Sequence, residues 1–104
     1  MANDRRLDLH AKLVGMLGTD NVYFDPPESV KIKYPCIIYT RRSGDSLYAN
    51  DMPYRFTQSY DVTYIDRNPD SDTLLKIATG FPMVRYDRHY TADNLHHDTF
   101  VLYY

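Results

Sequence analysis

The sequence is poor in several residue types, and each shortage excludes a class of protein. Its 104 residues contain a single cysteine, Cys36, so no internal disulfide can form and nothing indicates a secreted, disulfide-stabilised fold. Glycine occurs only four times, and Gly44 stands alone in its segment, so it forms no glycine-rich phosphate loop. Lysine and arginine (12) do not outnumber aspartate and glutamate (14), which argues against a general nucleic-acid-binding domain. No segment approaches the roughly 20 apolar residues that cross a bilayer, so we expect no membrane association.

Tyrosine, by contrast, is abundant, with eleven residues against no tryptophan. The hydrophobic fraction of 43% and the charged fraction of 25% are ordinary for a globular protein and argue against disorder. The length suits one domain over residues 1–104. Tyrosine is favoured both in strands and at interfaces. We therefore expect most of the rings to cover the edge of the core and some to contact a partner.

Two segments have the sequence pattern of a helix. Between positions 9 and 17, apolar residues fall at i, i+4, i+7 and i+8, which predicts a helix from Asp4 to about Leu17. The second helix is predicted to take Asn68 as its N-cap and Pro69 as its first residue, and to end at Gly80.

Strands are predicted at residues 21–25, 36–41, 56–66, 83–90 and 95–104. The segment 28–34 fits either a short edge strand or an extended loop. The order of elements is helix, strands, loop, strand, helix and hairpin. This order predicts an α+β fold, with a mainly antiparallel sheet of four to five strands, two short helices packed on one face and a long inter-strand loop.

The last two strands are predicted to form a hairpin around a turn at residues 92–94. The segment 100–104 is apolar and strand-forming, and an unpaired segment of that kind is an aggregation hazard, so it is predicted to be paired within the sheet. Simple alternation along residues 83–90 places Val84, Tyr86 and Tyr90 on one face, opposite Arg85, Asp87 and His89.

Residues 42–55 are polar with few apolar side chains, and they are predicted to form a long loop between two strands. A loop of this length in so small a domain is usually functional or disordered. We expect it to contact a partner through its apolar and aromatic residues and the arginines at its ends, namely Arg42, Leu47, Tyr48, Met52, Tyr54 and Arg55. The alternative is that these side chains pack back onto the domain itself.

Histidines near the last hairpin are the first candidates for metal binding. His96 and His97 are adjacent, so in a strand they point to opposite faces. Only one of them could join His89, with Asp87 or Asp98, in a metal site. Polar positions on a solvated strand face explain the same residues equally well. We therefore expect no metal, no cofactor and no catalytic residues.

Two other chemistries have weaker support. Cys36 and His10 would supply a nucleophile and a base if they met, but nothing in the sequence brings them together. Cys36 lies in an apolar run and is expected to be a small buried hydrophobic residue. Aromatic residues near Arg41 and Arg42 could stack on single-stranded nucleic acid, although acidic residues in the same loop oppose this.

The order of these segments resembles that of the tail terminator (tail completion, minor tail) proteins of long-tailed bacteriophages. The likeness covers nearly all of the chain: a short helix near the start, the strand at 34–39, a polar loop, the long strand at 60–65, an acidic helix start at 69–72 and a hairpin closing on 95–100. Head–tail joining proteins of the phage neck share much of the same small-domain character. The likeness lies in order and character and carries no catalytic motif.

The resemblance implies a structural virion protein and not an enzyme. Such a protein forms a ring, typically six-fold, on the last ring of tail-tube subunits, where it ends tail growth and forms the interface to the head connector. The expected partners are other copies of the chain, the tail tube protein and the head–tail connector or stopper protein.

DNA would pass through the lumen of the ring without specific binding, and the net charge of −2 suits this passage. The expected location is the tail or neck of the virion, after assembly in the host cytoplasm. The alternatives are a joining protein of a different neck layer, or a small metal-binding enzyme or nucleic-acid-binding accessory protein.

Overall fold

Five strands and two helices make up the computed structural model, which describes residues 4–48 and 56–104. In chain order they are α1 (Asp4–Leu17), β1 (Val22–Phe24), β2 (Cys36–Tyr48), β3 (Phe56–Asp66), α2 (Asp72–Thr79), β4 (Val84–Ala92) and β5 (Leu95–Tyr103). The strands form one sheet in the order β1-β2-β3-β5-β4. Strands β1 and β2 run parallel and all other neighbours run antiparallel. The predicted α+β class is confirmed.

Helix α1 matches the predicted bounds. Its buried side chains, Leu9, Leu13 and Leu17, follow the helical spacing read from the sequence. The helix ends at Gly18, whose φ of 86° lies in the left-handed region that glycine adopts without steric cost. The Gly18 backbone N–H donates to the carbonyl of Val14 at 2.8 Å and closes the last turn.

The predicted start of the second helix is wrong. Ser71, and not Asn68, is the N-cap of α2, and its Oγ accepts a hydrogen bond from the backbone N–H of Thr73 at 3.2 Å. The side chain of Asn68 instead accepts from the backbone N–H of Asp70 at 3.0 Å. This local turn satisfies Asn68 and holds Pro69 outside the helix, because short polar side chains compete with helical hydrogen bonds. The predicted end at Gly80 is confirmed.

Both helices pack on the same face of the sheet. Leu9, Leu13 and Leu17 from α1 and Ile77 from α2 share one buried cluster with alternate residues of the strands. The buried strand residues of this cluster are Val22, Ile37, Tyr39, Tyr60, Val62, Tyr64, Phe100 and Leu102. The predicted aromatic and apolar face of β3 is therefore the face that the helices cover.

The other face has a smaller cluster and no helix from the described residues over it. Parallel neighbours require a crossover connection, and residues 25–35 supply it without regular helix or strand. Ile32 in this connection packs against Cys36, Ile65 and Leu95. The segment 28–34 is thus a loop and not an edge strand.

Strand β5 lies between β3 and β4, so its apolar residues are paired on both sides as predicted. The β4–β5 turn consists of Asp93 and Asn94, whose φ angles of 54° and 63° are both left-handed. Two such residues form the turn that matches the twist of a hairpin, and aspartate and asparagine tolerate this region better than other side chains. The predicted turn is confirmed.

A bulge interrupts the pairing of β4 with β5. The register shifts between Tyr86 and Arg88, which leaves Asp87 without a directly opposite residue. Thr99 holds the bulge, because its Oγ1 donates to Asp87 Oδ2 at 3.0 Å and accepts from the Arg88 backbone N–H at 3.2 Å.

The bulge reverses the faces of the residues that follow it. His89 lies opposite Asp98, on the helix-covered face with Tyr86, while Tyr90 lies opposite His97 on the other face. The simple alternation read from the sequence is therefore wrong for His89 and Tyr90, which follow the bulge, because it assumed an uninterrupted period of two.

Within residues 4–48 and 56–104, no helix has both the length and the apolar character that crossing a bilayer requires.

Two leucines in helices give a matched test of the core assignment. Leu13 is 0% exposed in α1, whereas Leu75 is 66% exposed in α2. We expect Leu13→Ala to lower the free energy of unfolding by about 2–5 kcal/mol, because it removes buried methyl groups and leaves a cavity. Leu75→Ala should change it by less than about 0.5 kcal/mol. Urea unfolding followed by circular dichroism measures both, and equal losses would contradict the assignment.

Candidate interaction surfaces

The first part of the segment that the sequence predicts as a loop is a strand in the structure. Strand β2 continues to Tyr48, and residues 46–48 pair with residues 56–58 of β3. The predicted loop start at Arg42 is therefore wrong, because strand pairing overrides the polar composition of this segment. The pairing is irregular between Arg41 and Ser46, where the register shifts. The remainder of the predicted loop, residues 49–55, lies outside the described residues.

The predicted contact residues fall into three groups. Arg42 is half-buried, and its Nε lies 3.7 Å from Oδ1 of Asp61 on the neighbouring strand. Leu47 and Tyr48 have backbone positions at the end of β2. The three that lie outside the described residues are Met52, Tyr54 and Arg55.

The far end of the β2–β3 hairpin extends past its neighbouring strands. We call residues 46–48 and 56–58 the distal hairpin. On one side, β1 pairs with β2 only as far as Tyr39. On the other side, the last residue of β3 with a neighbour is Gln58, whose backbone exchanges hydrogen bonds with the backbone of Tyr104. The last two residue pairs thus have no third strand among the described residues, and a two-stranded ribbon alone is marginally stable.

Strand β4 forms an exposed edge of the sheet. It is nine residues long, and every residue after Val84 is exposed. No strand from residues 4–48 or 56–104 pairs with its outer side. Such an edge presents unpaired backbone N–H and C=O groups, which makes it a template for an added strand.

An apolar groove runs between α2 and β4. Its volume is about 490 Å³. Its apolar lining comes from Pro69, Leu74, Leu75, Ala78 and Tyr86, with Asp70 and Ser71 also lining it. Leu75 is 66% exposed and Tyr86 is 47% exposed, so the groove presents two large side chains with apolar surface to solvent.

Sequence reasoning missed this groove, although the sequence contains a signal for it. The helix has apolar residues at 74, 75, 77 and 78, which is more than one helical face can bury. Only Ile77 among them is fully buried. The other three apolar residues, Leu74, Leu75 and Ala78, all line the groove, and Leu75 is the most exposed of them.

Tyr86 is fixed in place as a wall of the groove. Its hydroxyl donates to Oδ1 of the buried Asp98 at 2.8 Å, and its ring meets Phe100 edge-on at 5.4 Å between centroids. Desolvation and the hydrogen bond to Asp98 raise the pKa of Tyr86 to about 12. The hydrogen bond and the edge-on ring contact hold the Tyr86 side chain in one orientation.

The histidines of strands β4 and β5 form two stacked ring contacts. His89 Nε2 lies 3.1 Å from His96 Nδ1, with the two rings stacked at 5.3 Å. His97 lies on the opposite face and stacks on Tyr90 at 4.7 Å. No group of three or more histidine, cysteine or carboxylate side chains within the described ranges has a metal-binding arrangement.

Cys36 and His10 lie on opposite sides of the sheet. Cys36 packs against Ile65 and Leu95 on the face without helices, whereas His10 contacts Tyr39 beneath α1. Burial raises the pKa of the Cys36 thiol to about 12. The prediction of a buried hydrophobic cysteine is confirmed, and the structure does not form the nucleophile-and-base pair.

A polar network joins α1 to the sheet. The hydroxyl of the buried Tyr39 lies 2.7 Å from His10 Nδ1 and accepts a hydrogen bond from Arg6 Nη1 at 3.3 Å. The Arg6 guanidinium also lies over the ring of Phe24, at 4.4 Å from its centroid. Burial lowers the pKa of His10, and the charge of Arg6 lowers it further.

Known proteins give no independent indication of function. The chain matches no family model, no curated protein and no solved structure. The surfaces that its own residues form, together with the resemblance in segment order, are the basis for a functional proposal.

The network around His10 predicts a loss of stability in mild acid. The folded state lowers the pKa of His10 below its ordinary 6.5, so the unfolded chain binds the proton more strongly. This contribution to stability is present above pH 6.5 and is lost as pH falls through the lowered pKa of the folded state. His10→Gln keeps an acceptor for the Tyr39 hydroxyl but cannot titrate.

Urea unfolding of both proteins at about pH 7.5 and about pH 5.5 measures the effect. We expect the wild type to lose more stability than His10→Gln between the two pH values. Identical pH dependence would show that His10 does not titrate differently on folding.

Proposed function

We propose that this chain is a structural virion protein that caps a phage tail tube as an oligomeric ring. The ring ends tail growth and forms the interface to the head connector. It is six-fold, and DNA passes through its lumen without specific binding. The chain acts by presenting shape and backbone edges to its neighbours, without bond-making or bond-breaking.

The distal hairpin is the observation that carries this proposal. Residues 47–48 and 56–57 extend beyond the strands that flank them, so these last two pairs of the ribbon have no third strand from the described chain. A projecting ribbon of this kind gains stability when another surface pairs with it or covers it. In a ring that surface belongs to the next copy.

A second surface is also needed, because a ring that closes head to tail uses two different patches on each subunit. The sheet face without helices offers a broad receiving patch. Its exposed and half-buried residues include the polar Thr40, Asp61, Thr63 and Thr99 on neighbouring strands, beside the half-buried Ile38 and Tyr103. A mixed surface of this kind is typical of interfaces between separately folded subunits.

Loss of the gene tests the proposal in the virion. If the chain caps the tube, phage that lack it should yield tails of uncontrolled length, or heads without tails, in negatively stained lysates. Supplying the wild-type chain in trans should restore normal virions. Normal, infectious virions without the protein would overturn the proposal.

Deletion of residues 45–51 tests the hairpin itself. A second variant keeps the length of the chain but replaces the same residues with a glycine–serine segment. We expect both variants to keep the circular dichroism spectrum and close to the melting temperature of the wild type, because the buried cluster lies elsewhere. Both should fail to restore tails in trans.

Two different outcomes would contradict this prediction. A variant that unfolds would show that the segment belongs to the core. A folded variant that restores normal tails would show that the distal hairpin has no role in assembly.

A further inference from the structure

We infer that the outer edge of β4, with the groove beside it, binds an extended strand of another protein in which apolar residues alternate with acidic ones. This inference does not depend on the ring, because it concerns the β4 edge of the sheet and not the distal hairpin. It is drawn from the backbone of β4, the groove and two arginines.

The backbone of β4 supplies the pairing groups. The strand is nine residues long, and no described strand pairs with its outer side. The bulge at Asp87 and the exposed charges of β4 limit pairing with arbitrary chains, so an added strand must match them. An extended segment that adds to such an edge gains affinity from main-chain hydrogen bonds and specificity from alternate side chains.

The groove determines which residues of the partner strand are apolar. A strand paired with β4 would place every second residue on the helix-covered side, next to Leu75 and Tyr86. The cavity of about 490 Å³ is mostly apolar, and Asp98 holds the Tyr86 ring in place. The partner residues beside the groove are therefore apolar, whereas the next position on that side lies beside His89.

Two arginines of β4 determine which residues of the partner strand are acidic. Arg85 pairs opposite Val101 and Arg88 opposite Thr99, so both lie on the face without helices. They share that face only because the Asp87 bulge shifts the alternation between them. Both are exposed, and acidic side chains on an added strand would lie beside them.

The chain's own described edges fit this site poorly. Antiparallel pairing of two β4 strands would bring Arg85 and Arg88 of both copies onto one face, and the single Asp87 of each copy offsets only part of that repulsion. Strand β1 has only three residues. The net positive charge of Arg85, Asp87 and Arg88 favours a different protein with an acidic strand.

A peptide probe tests the inference on the full chain. The probe is a fluorescein-labelled peptide of nine residues, the length of β4, in which leucine alternates with glutamate. Fluorescence anisotropy measures its affinity for the wild type. The double variant Arg85→Glu/Arg88→Glu should weaken binding by at least about tenfold. The matched control, Lys31→Glu/Arg67→Glu, makes the same change in net charge at two other exposed positions and should leave affinity unchanged.

Three further probes separate the contributions to binding. A peptide with lysine in place of glutamate should bind more weakly, as should one whose alternate amides are methylated to block pairing. Leu75→Ser, at an exposed position, should also weaken binding through the groove. Amide shifts in nitrogen-15 NMR spectra should be confined to β4 and α2.

Several outcomes would overturn the inference. They are no measurable binding of the alternating peptide, equal weakening by the two double variants, or amide shifts elsewhere on the surface. A dimer in sedimentation that dissociates on Arg85→Glu/Arg88→Glu would also overturn it, because a second copy would then occupy β4. Since none of these experiments involves a virion, their failure is distinguishable from failure of the ring proposal.

Discussion

The two helices of the described residues pack on the same face of the sheet, and this arrangement separates a buried face from an open one. The buried cluster fills the space between α1, α2 and the strand residues that point toward them. The opposite face relies on the smaller group around Cys36, Ile65 and Leu95. A layered domain of this kind buries one side of its sheet and leaves the other side and the edges to solvent or to partners.

The elements with a strong local pattern could be predicted from the sequence. The apolar spacing of α1 and the glycine that ends it are both local, and so is the alternation of β3. The β4–β5 turn is also local, because Asp93 and Asn94 adopt left-handed angles at low cost. The placement of residues 100–104 inside the sheet followed from their apolar character alone.

Features that depend on competition between local and tertiary contacts could not be predicted. Asn68 and Ser71 are both good helix caps, and the turn that Asn68 forms with Asp70 decides between them. The bulge at Asp87 depends on Thr99, which is distant in the sequence. The extension of β2 to Tyr48 depends on the partner strand β3 and not on the polar residues of β2 itself.

One candidate surface could be predicted from the sequence and the other could not. The polarity of residues 42–55 indicated a contact region, and the distal hairpin overlaps the first part of it. The groove escaped notice because Leu75 and Tyr86 belong to different elements, and only the packing of α2 beside β4 brings them together. An interaction surface built from two elements has no pattern in either segment alone.

Hydrogen–deuterium exchange tests the central claim, that a projecting hairpin is an assembly element, most directly. The measurement compares the isolated chain with the chain in purified tails. In the isolated chain, backbone amides of residues 46–48 and 56–58 should exchange much faster than those of β5, which is paired on both sides. In tails, the same amides should become protected. Equal exchange of these amides in the two samples would contradict the account.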